Sequence, residues 1–153
     1  MNSKSTPRLK ERLVGTWTLQ SYEERNTETG ETNHPMGEHA TGFIIYSDDG
    51  YMSAQISAAG RPVFADSDMF SGTTQEFAAA GQSYLAYSGP FDVDEAGGTV
   101  YHRVAVSLFP NWAGMRQVRA AALDGDTLRL AFERPQHTQG AARTVELVWR
   151  RAA

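Results

Sequence analysis

The sequence GFIIYSDDGYMSAQIS, residues 42–57, decides the fold class. Residues 42–47 form a short run rich in β-branched and aromatic side chains, as is typical of a strand. Residues 51–57 alternate in character, with Met52, Ala54 and Ile56 on one side and Tyr51, Ser53 and Gln55 on the other. The residues between them, Asp48, Asp49 and Gly50, are turn formers. The stretch therefore predicts a β-hairpin.

Strand patterns continue on both sides of this hairpin and are separated by turn residues. They predict about eight strands, at residues 16–25, 42–47, 51–57, 91–94, 99–108, 116–123, 127–133 and 143–151. Two segments carry helical signals instead. A short helix is expected over residues 7–14 with Thr6 as its cap, and a second over residues 74–87, where Thr73 and Glu76 fit a capping box.

Consecutive hairpins with one apolar face hide their edge strands by closing into a barrel or by folding into a sandwich. The simple meander order favours closure. We therefore expect an all-β, antiparallel up-and-down barrel of eight to ten strands, with a short N-terminal helix and one inserted helix. A β-sandwich is the alternative. An eight-stranded barrel encloses enough space for side chains and one small ligand.

Composition narrows the classes of function. The 153 residues fit one domain, 1–153, and the net charge of −4 lacks the basic surface that binding to nucleic acid requires. There is no cysteine, so disulfides and thiolate chemistry are excluded. The first eight residues are polar and no apolar run approaches a membrane span. We expect a cytoplasmic protein without a membrane partner, and a homodimer is compatible with the sequence.

Several stretches carry a family resemblance. The run LVGTW at residues 13–17 resembles the Gly-x-Trp signature of the lipocalins, and WRR at residues 149–151 closes the last predicted strand. Three more resemble the lipocalin-like domain family of bacteria and fungi, a calycin-type small β-barrel: DGYMSAQ at residues 49–55, YSGPF at residues 87–91 and VSLFPNWAG at residues 106–114, with Arg119 beyond. Residues 34–41 and 59–72 have no counterpart.

The resemblance implies a lipocalin-like barrel with an internal cavity. It also implies that an arginine from the end of the barrel covers Trp17, where a cation–π contact contributes about 0.5–2 kcal/mol. Members of the family often accompany natural-product biosynthesis, and some related small barrels cyclise or isomerise polyketide-type substrates. Fold alone does not fix such a function.

Three residues are candidates for catalysis. His102 lies in the middle of a predicted strand and shares a face with Val100, Val104, Val106 and Leu108, so it is either a general acid–base or a hydrogen-bonded core histidine. Arg119 precedes three alanines and either stabilises negative charge in the cavity or points to solvent. The Tyr87 phenol can donate to a carbonyl oxygen.

Six further residues are candidates for ligand binding: Tyr46, Met52, Gln55, Tyr84, Asn111 and Trp112. Tyrosine rings can form an apolar wall, and methionine adapts to varied shapes. Met52 and Gln55 lie on opposite faces of one strand, so at most one of them lines the cavity. Asn111 and Trp112 follow Pro110 at an interruption, which is either the barrel mouth or a rigid corner.

No metal or cofactor is expected. The four histidines show no close pairing, and the sequence has no glycine-rich phosphate loop and no Gly-x-Ser-x-Gly motif. Binding of a small hydrophobic or aromatic molecule is the leading hypothesis, with cofactor-independent cyclisation or isomerisation of a polyketide-like intermediate as the favoured reaction. A non-catalytic carrier or sensor is the alternative, and a mainly oligomer-forming barrel is the third hypothesis.

Overall fold

A computed structural model describes residues 7–152 of the chain. It contains eleven strands: β1 (Gly15–Asn26), β2 (Thr32–Asn33), β3 (Thr41–Tyr46), β4 (Tyr51–Ser57), β5 (Tyr84–Asp94), β6 (Thr99–Arg103), β7 (Val106–Ser107), β8 (Arg116–Asp124), β9 (Thr127–Phe132), β10 (Gln136–Thr138) and β11 (Ala141–Arg151). The helices are α1 (Leu9–Leu13), α2 (Thr74–Gln82) and one 3₁₀ turn (Pro110–Trp112). None of these described helices is long and apolar enough to cross a membrane.

Eight of the strands close into an antiparallel barrel in the order β1, β3, β4, β5, β6, β8, β9 and β11, and β11 pairs with β1. The three short strands are additions: β2 lies beside β1, β7 beside β5 and β10 beside β11. Closure removes the exposed edges that an open sheet would leave. The predicted lipocalin-like, up-and-down barrel with two helices is therefore confirmed.

The hairpin at residues 42–57 forms as predicted, and its alternation decides which side chains face inward. β3 and β4 pair in register, with Ile44 opposite Ala54 and Tyr46 opposite Met52. These four side chains are buried, whereas Gln55 on the other face is exposed. The apolar set of the alternation therefore forms the interior.

One end of the barrel is sealed around Trp17, which is fully buried. Its indole Nε1–H donates to the Leu13 carbonyl over 2.9 Å, and the Arg151 guanidinium lies 4.1 Å from its ring centre. Arg151 also donates to the carbonyls of Val14 and Arg12 at 3.0 and 2.6 Å. The last strand thus fixes α1 across the barrel floor, and the arginine expected to cover Trp17 is confirmed.

The N-terminal helix is shorter than predicted. It begins at Leu9 with Arg8 as its N-cap, and it ends at Leu13 rather than Val14. The cap is supplied from a distant turn, because the Glu95 carboxylate accepts from the backbone N–H groups of Leu9 and Lys10 at 2.6 and 3.1 Å. A carboxylate at a helix N-terminus also interacts favourably with the helix dipole. The predicted cap, Thr6, lies outside the described residues.

The second helix was predicted too long. The capping box of Thr73 and Glu76 is present, but the helix ends at Gln82 and β5 begins at Tyr84. β5 pairs with β4 along seven positions, from Ser57 opposite Tyr84 to Tyr51 opposite Pro90. This ladder outweighs the helical spacing of Tyr84 and Leu85 with Phe77, because a continued helix would leave β4 without its neighbour.

The strand predicted over residues 99–108 is broken in two. β6 ends at Arg103, and the chain then continues beside the same strand, β5, with its pairing shifted by one residue: His102 lies opposite Phe91, whereas Val106 lies opposite Ser88. A shift of one residue turns the following side chains to the other face of the sheet. Val106 and Leu108 are consequently exposed. The prediction that they share an inward face with His102 was wrong, although Val100 and Val104 are buried as expected.

Candidate functional site

A cavity of about 320 Å³ occupies the end of the barrel opposite Trp17. This volume lies at the lower end of the roughly 300–1,000 Å³ of small-molecule sites. Its walls are mainly apolar and aromatic, and they include Ile44, Ala54, Ile56, Leu85, Leu130, Phe132, Val145, Leu147 and Trp149. A few polar side chains interrupt this lining, from β1, β5, β6, β8 and β10. Such a site can hold one small apolar molecule and orient it through a few hydrogen bonds.

His102 lies in this wall with no exposed surface and is bound on both sides by phenols. Its Nε2 is 2.7 Å from the Tyr46 hydroxyl, and its Nδ1 is 2.8 Å from the Tyr87 hydroxyl. Strands β3, β5 and β6 position the three side chains. Both ring nitrogens are therefore engaged, one as donor and the other as acceptor when the ring is neutral.

Burial keeps the three rings uncharged. Removal from solvent, together with the nearby Arg119 charge, lowers the pKa of His102 to about 3. Burial raises the pKa of both Tyr46 and Tyr87, and the Arg119 guanidinium partly offsets this increase at Tyr87. At neutral pH the cluster therefore consists of a neutral imidazole between two protonated phenols.

Arg119 points inward from β8 and is only 6% exposed. It donates to the Val118 carbonyl over 3.0 Å and to Gln117 Oε1 over 3.2 Å, and its guanidinium lies 3.6 Å from the Phe132 ring centre. Within residues 7–152, no carboxylate lies within ion-pair distance of it. The cavity wall thus holds a buried cation whose neighbours are neutral, an arrangement that costs free energy unless a partner is bound.

Glu24 and Tyr22 place polar groups on β1. Glu24 is 3% exposed, and its Oε1 accepts from Asn33 Nδ2 and Gln139 Nε2 at 3.2 and 3.1 Å. Burial, and secondarily the Glu24 charge, raises the pKa of Tyr22 to about 12, so this phenol stays protonated. Asn33 belongs to the short strand β2, and Gln139 lies in the turn between β10 and β11. This side of the cavity is therefore acidic.

Aromatic side chains complete the cavity. Trp112 of the 3₁₀ turn packs edge-on against Tyr87 and Phe109, with ring centres 5.7 and 5.4 Å apart. Trp149 lines the wall, and its Nε1–H is the single fully buried side-chain polar atom without a hydrogen-bond partner in the described part of the chain. A buried donor left unpaired is costly, so a bound molecule with an acceptor would improve the site.

Comparison with known proteins agrees with this architecture. A family model described as a lipocalin-like domain matches residues 14–152. The chain belongs to the lipocalin-like domain family. A curated relative, the 4'-hydroxy-3'-methoxypropiophenone carrier protein of Aspergillus oryzae (strain ATCC 42149 / RIB 40), is 38% identical over 106 residues, which is 65% of this chain and 96% of the relative. No solved structure matches the chain significantly.

The lipocalin-like barrel brings together most of the side chains that the sequence singled out for chemistry. His102, Tyr87, Arg119 and Trp112 all line the cavity. Tyr46 contacts His102 from the floor side and is buried. Met52 is also buried, one inward position closer to the floor than the cavity-lining Ala54.

Three other sequence candidates lie away from the cavity lining. Gln55 accepts a hydrogen bond from the Tyr84 hydroxyl on the outer wall, because both side chains occupy outward positions of β4 and β5. Asn111 is exposed in the 3₁₀ turn, while its neighbour Trp112 turns inward. Ligand contact through Gln55, Tyr84 or Asn111 would require a molecule outside the barrel.

Sequence reasoning missed most of the cavity residues, among them Tyr22, Glu24, Phe132, Trp149 and the β10 residues Gln136, His137 and Thr138. Glu24 lies in the run Glu23, Glu24, Arg25, which is typical of a solvent-exposed strand end. The signal that could have identified it is the alternation of β1, because Tyr22 and Glu24 share a face. Among the described residues no group of three or more His, Asp or Glu side chains could hold a metal ion.

Proposed function

We propose that the protein binds a small, largely apolar aromatic molecule inside the barrel and carries it without changing it. The observation that supports this most directly is the 320 Å³ cavity, whose lining is apolar and aromatic apart from a few convergent polar groups. The relative named as a carrier of 4'-hydroxy-3'-methoxypropiophenone points to aromatic ketones as the class of ligand.

The state of His102 favours binding over acid–base catalysis. A general base works best when its pKa lies near the operating pH, and a pKa of about 3 makes this imidazole a weak base. In addition, both of its nitrogens are already held by Tyr46 and Tyr87, so no lone pair faces the cavity. His102 therefore serves to position Tyr87.

Binding is tested by calorimetric titration with 4'-hydroxy-3'-methoxypropiophenone. Ala54→Leu fills part of the cavity from a buried lining position, whereas Ala122→Leu makes the same change at an exposed position of β8. We expect saturable one-to-one binding in the wild type and in Ala122→Leu, and at least tenfold weaker binding in Ala54→Leu. Equal affinity in all three proteins would place the ligand outside the barrel.

Cofactor-independent cyclisation or isomerisation is the second candidate, and one observation favours it. Arg119 and Tyr87 are adjacent in the cavity, and together they could stabilise the negative charge of an enolate. In that step a hydroxide ion from solvent removes a proton from the carbon next to the carbonyl and becomes water, and the electron pair of the broken C–H bond moves to the carbonyl oxygen. Return of a proton at another position gives the isomer.

Deuterium exchange tests this second candidate. If the cavity stabilises an enolate, the CH₂ group beside the carbonyl of the propiophenone should exchange with D₂O faster with protein than with buffer, as followed by proton NMR. Arg119→Lys should slow the exchange, whereas Arg116→Lys, at an exposed residue of the same strand, should not. If the CH₂ protons exchange no faster with protein than in buffer, the protein binds and carries the ligand without catalysing enolisation.

A further inference from the structure

The cavity lining includes polar groups of Tyr22, Trp149 and β10, and it places three further polar groups on opposite walls. Arg119 on β8 and Tyr87 on β5 offer donors, whereas Glu24 on β1 offers an acceptor. In the closed barrel, β9 and β11 lie between β8 and β1, and β3 and β4 lie between β1 and β5. Glu24 therefore faces Arg119 and Tyr87 across the cavity. Apolar side chains such as Leu130, Phe132 and Val145 lie between them.

The hydrogen bonds of His102 determine where the Tyr87 proton points. Within the described chain, Tyr46 has His102 Nε2 as its sole hydrogen-bond partner, so a Tyr46 proton directed elsewhere would be buried and unpaired. Tyr46 therefore donates to Nε2. The neutral imidazole then carries its proton on Nδ1 and donates it to the Tyr87 oxygen. The hydroxyl proton of Tyr87 is left without an acceptor among the described residues.

Arg119 strengthens this donor wall. Its guanidinium has five N–H groups, of which two are engaged by the Val118 carbonyl and Gln117 Oε1. It lines the same cavity as Tyr87, and only β6 separates the strands that carry the two side chains. An acceptor oxygen placed between the two side chains would receive a hydrogen bond from each.

Glu24 has the opposite character. Its Oε1 accepts from two amide groups, and its Oε2 has no hydrogen-bond partner in the part of the chain that the structure describes. A carboxylate oxygen is a strong acceptor and is stabilised by a hydroxyl donor. A ligand hydroxyl on this side would supply that donor.

We infer that the ligand is bipolar, with a carbonyl oxygen held by Arg119 and Tyr87 at one end and a hydroxyl group that donates to Glu24 at the other. This inference rests on the proposed function and specifies its ligand class as aromatic ketones with a phenolic hydroxyl at the far end of the ring. The apolar middle of the cavity contacts the ring itself.

Three probes separate the two contacts. 4'-Hydroxypropiophenone has both polar ends, its methyl ether 4'-methoxypropiophenone lacks the hydroxyl donor, and 4-propylphenol lacks the ketone. Each is titrated by calorimetry into the wild type, Tyr87→Phe and Glu24→Gln. Tyr101→Phe and Glu23→Gln make the same chemical changes and serve as controls. Both positions are half-buried and lie outside the cavity lining, and Tyr101 packs against Arg116.

We expect Tyr87→Phe to weaken binding of both ketones about tenfold and to leave 4-propylphenol unchanged, because the lost hydrogen bond involves the ketone alone. Glu24→Gln should weaken binding of the two phenols about tenfold and leave the methyl ether unchanged. The control variants should bind all three probes as the wild type does. Circular dichroism spectra identical to that of the wild type confirm that the variants are folded.

Two results would overturn the inference while leaving the proposed function intact. In one, Tyr87→Phe affects the two phenols and Glu24→Gln the two ketones, so the ligand lies in the reverse direction. In the other, each variant weakens all three probes equally, so the residues act only on the shape of the cavity. Failure of every probe to bind the wild type would instead reject the proposed function, and the inference with it.

Discussion

At the scale of single residues, the neutral His102 couples the stability of the barrel to pH. In the folded protein its pKa is about 3, whereas an exposed histidine in the unfolded chain has a pKa of about 6.5. Between these two values the unfolded chain binds a proton that the folded barrel does not. The contribution of His102 to stability is therefore complete above pH 6.5 and decreases as the pH falls towards 3.

The first prediction is that lowering the pH from 7.5 to 5 costs the wild type about 2 kcal/mol through His102, since each pH unit below the unfolded pKa contributes about 1.4 kcal/mol. His102→Gln can still contact both phenols but does not titrate. Urea unfolding at several pH values should show a smaller decrease for this variant. Parallel pH profiles for the two proteins would contradict a neutral, buried His102.

Arg151 gives a second prediction at this scale. It stacks on Trp17 and donates to two carbonyls at the end of α1, contacts that a lysine cannot reproduce together. Arg151→Lys should lower the free energy of unfolding by about 2 kcal/mol. The control is Arg150→Lys, at the exposed neighbouring position, which should change stability by less than about 0.5 kcal/mol. Equal effects would mean that the floor contact is not important for stability.

The sequence identified His102 and Arg119 because each places a polar group in an apolar strand pattern, and Tyr87 because its phenol can donate to a carbonyl oxygen. It could not show that His102 binds two phenols, since Tyr46 is 56 residues away along the chain. Glu24 was missed because the charged run Glu23, Glu24, Arg25 is typical of exposed strand ends. Contacts between distant residues and the direction of a side chain depend on barrel closure, which a single strand does not encode.

At the scale of elements, Gly89 of β5 is the glycine with the closest neighbours, which belong to the end of β6 and the residues after it. A Cβ atom on Gly89 would lie 1.9 Å from the Arg103 carbonyl oxygen and 2.8 Å from the Ala105 nitrogen. Both neighbours are backbone atoms that cannot move aside cheaply. The strand predicted over residues 99–108 breaks at this point and continues as β7.

The third prediction concerns this close contact at Gly89. Gly89→Ala should destabilise the protein by about 3 kcal/mol, because the methyl group forces the two strands apart. Gly81→Ala is the matched change in α2, where nothing lies within 4 Å of the added carbon. It should leave stability unchanged or raise it by up to about 1 kcal/mol. Chemical unfolding measures both, and similar values for the two variants would argue against the close contact.

Element boundaries were predicted well where pattern and turn chemistry agree. The β3–β4 hairpin matches to within one residue, because alternation and the turn at Asp48, Asp49 and Gly50 give the same answer. The end of α2 was misplaced because helical spacing of a few apolar residues also fits a strand that pairs with a distant neighbour. β2 and β10 span two and three residues, too few for a periodic signal.

At the scale of the whole molecule, closure of eight strands leaves a barrel that is packed at one end and hollow at the other. Trp17 and Leu13 seal the packed end, and the cavity occupies the remainder. The family resemblance predicted this architecture from short motifs. It could not predict the polarity of the cavity, because Arg119 and Glu24 face each other across the cavity only when the sheet closes.

Ligand binding should therefore stabilise the whole barrel, which is the fourth prediction. A ligand at about one hundred times its Kd adds about 2.7 kcal/mol, which corresponds to a rise in Tm of roughly 5–10 °C for a chain of this size. Differential scanning calorimetry with 4'-hydroxypropiophenone measures the rise. Ala54→Leu should show a much smaller rise at the same concentration, and an equal one would contradict binding inside the barrel.

The most direct test of the central claim is a crystal structure of the protein with 4'-hydroxypropiophenone. The account predicts electron density for the ketone inside the barrel, with its carbonyl oxygen within hydrogen-bonding distance of Tyr87 and Arg119 and its hydroxyl group beside Glu24. A barrel whose interior is filled by its own side chains, with the ketone absent or bound on the outer surface, would contradict the claim that this cavity is the binding site.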